Sequence, residues 1–174
     1  MKWALWTLGI IVALIATVLL IGSLLPKQHS ATRASSFHRP PDAIWSAIID
    51  YSKFPEWRKS VTRVEALPSA NGNPSWREFD KYDHSLPFEI DESKPPQRLV
   101  TRIADPNLPF GGTWTYELTP QADGSTMLRI TENGEIRNIF FRFVSRFLMG
   151  YTKTMEDYLN ALGQKFGEKT TVKN

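Results

Sequence analysis

Residues 140–162, FFRFVSRFLMGYTKTMEDYLNAL, carry the pattern on which the fold turns. Phe140, Phe143, Val144, Phe147, Leu148, Tyr151, Met155, Tyr158, Leu159 and Leu162 recur at three- and four-residue spacing, with Arg142, Arg146, Lys153, Glu156 and Asp157 between them. That periodicity predicts one long amphipathic helix with a wide apolar face. Gly150 is tolerated inside it at a cost of about 1 kcal/mol relative to Ala, or it marks a bend or close contact. Such a face needs an apolar surface to lie on.

The preceding chain supplies that surface as strands. Ser30–His38 reads as extended after a short polar linker, Lys27–Ala34, and Pro40-Pro41 ends it. Pro41-Asp42 starts a helix whose Ile44, Trp45, Ile48 and Ile49 share a face. Residues 51–57, YSKFPEW, read as a break and a second short helix. Strand-like runs follow at Val61–Leu67, Trp76–Tyr82, Leu86–Glu92, Arg98–Ile103, Gly112–Thr119 and Thr126–Ile136. Turn chemistry separates them, including the Ser-, Asn- and Gly-rich Pro68–Pro74, so antiparallel neighbours are expected. The sum is an α+β domain: a curved antiparallel β-sheet around one long C-terminal helix, with two short helices after strand 1.

Ahead of this lies an uncharged run of 23 residues, Trp3–Leu25. As a helix it spans roughly 35 Å, enough to cross a hydrocarbon core of about 30 Å with some tilt. Trp3 and Trp6 suit one interface and Lys27 the other. The run exceeds a signal-peptide core, and Ile21–Leu25 makes a poor cleavage site, so an uncleaved transmembrane helix is the preferred reading over a cleaved signal peptide. Lys27, Arg33 and Arg39 point the domain to the cytoplasm, whereas a signal anchor with almost no leading tail points it outward. The expectation taken is the outer, periplasmic side. The chain then divides into a membrane anchor with its flanks at 1–27, a domain at 28–168 and a disordered tail at 169–174.

Lys+Arg number 21 against 18 Asp+Glu, a formal net charge of +3. Without Lys2 and Lys27, which flank the anchor, the balance is 19 against 18. A nearly neutral domain lacks the basic footprint of a nucleic-acid binder, despite a pI near 9.2. There is no cysteine, which excludes disulfides, thiolate metal sites and a Cys nucleophile. His29, in the linker, His38, and His84, in a turn, have no metal-ligand spacing, so no metal and no cofactor is expected. No Gly-x-Ser-x-Gly elbow and no phosphate loop is present.

The order of these elements resembles the helix-grip fold of the SRPBCC superfamily, which includes START lipid-transfer domains, the major birch pollen allergen and polyketide cyclase/dehydrase-type proteins. Three stretches are similar to its bacterial members: PDAIWSAI at 41–48 followed by YSKFPEW at 51–57, PPQRLV at 95–100, and GGTWTYEL at 111–118. The resemblance runs over roughly residues 30–166. It implies binding of a hydrophobic small molecule or lipid, by proteins of which some are enzymes and many are not.

Side chains alternate along a strand. Trp114, Tyr116 and Leu118 therefore share one face; they are core, cavity wall or both. Leu128 and Ile130 share a face with Glu132, which puts a carboxylate near the rim of any cavity between sheet and helix. Glu132, with Tyr82 or Tyr116, is the one acid/base set that can be assembled. The expected cavity wall comprises Tyr82, Phe88, Ile90, Trp114, Tyr116, Leu128, Ile130, Phe143 and Phe147, with its mouth at the Asp105–Gly112 loop. Arg142 and Arg146 could meet anionic headgroups or form a solvated face.

The leading functional expectation is non-enzymatic binding or transfer of a hydrophobic ligand beside a membrane. The alternatives are an enzyme of the cyclase/dehydrase kind and an interaction module whose interior is filled by its own side chains. The oligomeric state is left open.

Overall fold

The computed structural model describes residues 2–69 and 72–174. Met1, at the head of the expected anchor, and Ala70 and Asn71, within the turn expected over Pro68–Pro74, lie outside the described residues. The chain runs α1 (Lys2–Leu24), β1 (Gln28–Phe37), α2 (Pro41–Ile49), a 3₁₀ turn (Tyr51–Lys53), α3 (Phe54–Trp57), β2 (Arg63–Leu67), β3 (Ser75–Phe79), β4 (Ser85–Lys94), β5 (Arg98–Ile103), β6 (Phe110–Pro120), β7 (Thr126–Ile136), α4 (Ile139–Val144), a π-helical turn (Ser145–Met149) and α5 (Lys153–Phe166).

The seven strands form one antiparallel sheet in the order β1-β7-β6-β5-β4-β3-β2. Consecutive strands pair as hairpins except that β1 closes against β7, which brings the start of the domain to its end. A register shift between Ile90 and Glu92 interrupts the β4–β5 ladder. An irregularity of that kind bends a strand and increases twist, which suits a sheet curved around a helix. The architecture is the expected helix grip.

The gripped helix is α5. Met155, Tyr158, Leu159 and Leu162 are almost fully buried, packed with Phe37 of β1, Leu128 and Ile130 of β7, Leu118 of β6 and Leu99 of β5. Ile44, Trp45 and Ile48 of α2 complete the core. Arg33 of β1 donates to Glu156 at 2.8 Å, tying the helix to the sheet edge.

The long helix expected from Phe140 is two helices. Gly150 has φ 74° and ψ 174°, conformations that no helix contains and that side chains disfavour. The apolar period continues across the break but changes its target. C-terminal to Gly150 it packs on the sheet; N-terminal to it, Phe140, Phe147 and Leu148 are exposed. Arg142 also departs from its expected place: it is buried, donating to the carbonyls of Ile136 at 2.8 Å and Arg137 at 3.1 Å, which closes the end of β7.

Two more segments differ from expectation. The polar stretch after α1 is already strand, because Gln28 and His29 pair with Glu135 and Gly134. Nor is 169–174 a free tail: Lys173 exchanges backbone hydrogen bonds with Ala34, and Thr171 accepts from the Ser35 hydroxyl at 3.1 Å. Both segments read as polar, yet both satisfy the backbone of β1.

α1 is long and apolar enough to cross a membrane and is exposed along most of its length. Only Gly22 is buried, beside half-buried Val18 and Ile21 on the same face. A side chain at Gly22 would overlap the carbonyl of Ile139, so α1 and the start of α4 meet backbone to backbone there.

Candidate ligand cavity

Between the concave face of the sheet and the helical layer lies a cavity of about 630 Å³. Its walls come from β3 (Trp76), β4 (Phe88), β5 (Thr101, Ile103), β6 (Trp114, Tyr116) and α2 (Ile48). Trp76 is stacked between Tyr51 and Phe88, at 4.7 and 5.8 Å between ring centres. Six of the described lining residues are exposed and mark where the cavity meets the surface: Phe141, Met149, Gly150 and Thr154 between β7 and the body of α5, His84 on the β3–β4 turn, and Ser60 after α3.

Two polar clusters interrupt the apolar wall. The first is His29, Trp114 and Glu132. Nε2 of His29 lies 2.9 Å from Oε1 of Glu132, and Nε1 of Trp114 donates to Oε2 at 2.7 Å. The strand register explains the arrangement. Ala31 is the partner of Glu132 across β1–β7, and His29 is the partner of Gly134. With no side chain at Gly134, the imidazole lies over its Cα and reaches toward Glu132; a Cβ there would collide with the ring. Gly112, opposite Gly134 on β6, is equally constrained, with φ 144° and backbone packed against it. Tyr151, just past the Gly150 break and also in the lining, stacks on the His29 ring with ring centres 3.9 Å apart.

The second cluster is built on Arg58, the residue directly after the FPEW helix. Arg58 donates to Glu78 at 2.9 Å, and Glu78 also accepts from Nε1 of Trp76 at 3.0 Å. The guanidinium lies over the rings of Phe54 and Tyr158, 4.7 and 5.2 Å from their centres. Burial works against its charge, but Glu78, together with the neighbouring Tyr158 and Tyr116, holds Arg58 above its ordinary pKa. Tyr116 and Tyr158 lie beside this pair, their rings 5.7 Å apart. Burial pushes both phenols well above the usual tyrosine range, so they stay protonated and act as hydrogen-bond donors rather than bases. The buried Tyr158 hydroxyl has no partner among the described residues.

Measured against the expected wall, Phe88, Trp114 and Tyr116 line the cavity, as does Glu132. Ile90, Leu128 and Ile130 are buried core and do not reach it. Tyr82, Phe143 and Phe147 lie elsewhere. Tyr82 is 69% exposed on the β3–β4 turn, and Phe143 and Phe147 pack on each other on the far side of the Gly150 break. Glu132 accordingly has His29 and Trp114 as partners, not Tyr82 or Tyr116. The expected mouth loop contributes Phe110, Gly111 and Gly112, and Arg137 pins it by donating to the carbonyls of Pro106 and Leu108 at 2.9 and 2.8 Å. Sequence reasoning missed His29, Arg58, Trp76, Glu78, Phe141 and Met149. The alternation Trp76-x-Glu78 was a usable signal for an inward-facing acid. No group of three or more His, Asp and Glu that could hold a metal occurs among the described residues.

Residues 28–166 match the family described as polyketide cyclase / dehydrase and lipid transport. No curated protein matches the chain in sequence. Among solved structures, the Zhui aromatase/cyclase from Streptomyces sp. R1128 superposes with a TM-score of 0.62 at 12% identity, over 79% of this chain and 93% of that one. A START superfamily protein from Mycobacterium smegmatis gives 0.59 at 17% identity, over 79% and 96%. Norcoclaurine synthase from Thalictrum flavum gives 0.62 at 10% identity, over 81% and 87%. At these identities the likeness is one of fold.

Proposed function

The chain belongs to the polyketide cyclase / dehydrase and lipid transport family, and on that premise we propose that it binds a hydrophobic small molecule or lipid in the cavity between sheet and helices while α1 holds it at a membrane. One observation carries the reading: a cavity of about 630 Å³ that is aromatic-walled and open to the surface. That size is typical of ligand sites, which range over roughly 300–1,000 Å³. Burying about 200 Å² of apolar ligand surface is worth roughly 5 kcal/mol. The Arg58–Glu78 and His29–Glu132 clusters give the ligand's polar end fixed donors and acceptors, which set orientation. The Arg58 cluster suits an oxygen acceptor, because its guanidinium and two neutral phenols can all donate.

The test is uptake of a fluorescent acyl lipid by the full chain in detergent, with Phe88→Glu as the comparison. Saturable one-to-one uptake, lost when a charge is placed in the wall, supports the reading. No uptake by the wild-type chain removes it.

A second reading, an enzyme of the cyclase/dehydrase kind, is favoured by the His29–Glu132 pair. A carboxylate and an imidazole in hydrogen-bond contact at a cavity wall can pass a proton to or from a bound ketide. Turnover of a polyketide-like substrate with a pH-dependent rate, abolished in Glu132→Gln, would establish it; binding without turnover would leave the carrier reading alone.

A further inference from the structure

The segment between β7 and α5 exposes an apolar surface that the core does not use. Ile139, Phe140, Phe141, Phe147, Leu148 and Met149 are each 40–74% exposed within eleven residues. Water-facing clusters of this size mark an interaction surface. Three observations indicate what covers this one.

First, the patch is continuous with α1. Gly22, two residues from the end of α1, packs on the backbone of Ile139. At about 1.5 Å rise per residue, α4 therefore begins within roughly 3 Å of the level where the apolar helix ends. Second, the domain has no freedom to drift from that level. Only Leu25, Pro26 and Lys27 separate α1 from β1, and the Lys27 carbonyl already accepts from the Ile136 amide at 2.7 Å. Third, Arg146 sits among the apolar side chains, exposed and without an ion-pair partner among the described residues, as a cation meeting anionic headgroups would.

We propose that α4 and the π-helical turn form a second, monotopic membrane contact: they lie in the bilayer interface beside α1 and open the cavity directly onto the lipid phase. The patch and the cavity share residues. Phe141 and Met149 belong both to the patch and to the exposed border of the cavity, and Gly150, also on that border, lets the chain turn from patch to α5. A ligand dissolved in the membrane then enters between Phe141 and Met149 without crossing water. This rests on the reading of α1 as a membrane anchor.

The absence of cysteine makes the test direct. Single Cys substitutions in the full chain, each carrying an environment-sensitive fluorophore, are placed at Phe140 and Leu148 in the patch, at Val12 in α1 and at Asp83 on the β3–β4 turn. The chain is reconstituted in nanodiscs of phosphatidylcholine and phosphatidylglycerol. Quenching is compared for aqueous iodide and for nitroxide-labelled lipid. All four sites are exposed in the protein, so the labels leave the core intact. The proposal expects Phe140 and Leu148 labels to behave like the Val12 label: several-fold less quenched by iodide than the Asp83 label and strongly quenched by the lipid nitroxide. If the Val12 label is shielded while the Phe140 and Leu148 labels are quenched by iodide as Asp83 is, the anchor stands and the proposal is overturned. If the patch labels are shielded from iodide but silent to lipid nitroxide, a protein surface covers them and the proposal is again overturned. An iodide-accessible Val12 label ends the anchor reading and the proposal with it.

Discussion

The imidazole of His29 lies over the bare Cα of Gly134 and meets the carboxylate of Glu132 at 2.9 Å. A residue five positions beyond the end of α1 thus becomes part of the cavity wall. The Glu132 carboxylate is held on its other oxygen by the Trp114 indole, so three strands converge on one acid. Replacing Glu132 by Leu removes the indole's acceptor. The Trp114 indole proton should then shift upfield in the NMR spectrum of the full chain. An indole spectrum unchanged by the substitution contradicts the arrangement.

Arg58 and Glu78 hold one another in a mostly buried setting, with side chains 15% and 10% exposed. Removing one partner of such a pair leaves the other charge uncompensated and costs about 3 kcal/mol. Arg58→Met and Glu78→Gln should each lower stability by that order, and the double variant should lose less than the two losses added. Denaturant unfolding of the four proteins measures the coupling; strict additivity would show that the pair does not interact.

Tyr116 and Tyr158 should resist ionisation. Each phenol's pKa is raised in the folded protein by burial. Their contribution is therefore fully present below the unfolded tyrosine value of about 10 and is lost as pH rises above it, where the unfolded chain sheds protons that the folded one keeps. Of the five tyrosines, two should ionise only together with alkaline unfolding when absorbance near 295 nm is followed. Five tyrosines titrating together near pH 10 in the folded protein would contradict this.

Gly150 separates two accounts of the C-terminal segment. In a continuous helix, Gly150→Ala would stabilise by about 1 kcal/mol. With φ at 74° and ψ at 174°, the substitution should instead destabilise by roughly 1–3 kcal/mol. The same break predicts that Leu159→Ala, in the core, costs about 3 kcal/mol, whereas Phe147→Ala stays within about 0.5 kcal/mol. Thermal or denaturant unfolding of the three variants decides the sign and the order.

These particulars show where the sequence was informative. Strand alternation placed Trp114, Tyr116 and Glu132 on the inward face because period-2 geometry is local and the register is fixed by one buried face. Pro41-Asp42 started α2 at the residue named. The helical stripe from Phe140 was legible as apolar period but not as two helices, because a period cannot report which surface buries it. The first half has the spacing of a core helix and faces away from the core. His29 and Arg58 were illegible for a related reason. Each reaches the cavity through a tertiary feature, the bare Gly134 in one case and the Glu78 partner on β3 in the other, that has no signature near the residue itself.

If the cavity takes up an apolar ligand from a membrane, as proposed, the protein should leave the bilayer with that ligand still bound. Native mass spectrometry of the full chain, released from nanodiscs made of lipid of a single known composition, tests it most directly. One retained lipid-sized adduct per chain is expected, lost in Phe88→Glu. A bare chain mass under conditions gentle enough to keep the fold, with no adduct in any charge state, would contradict it.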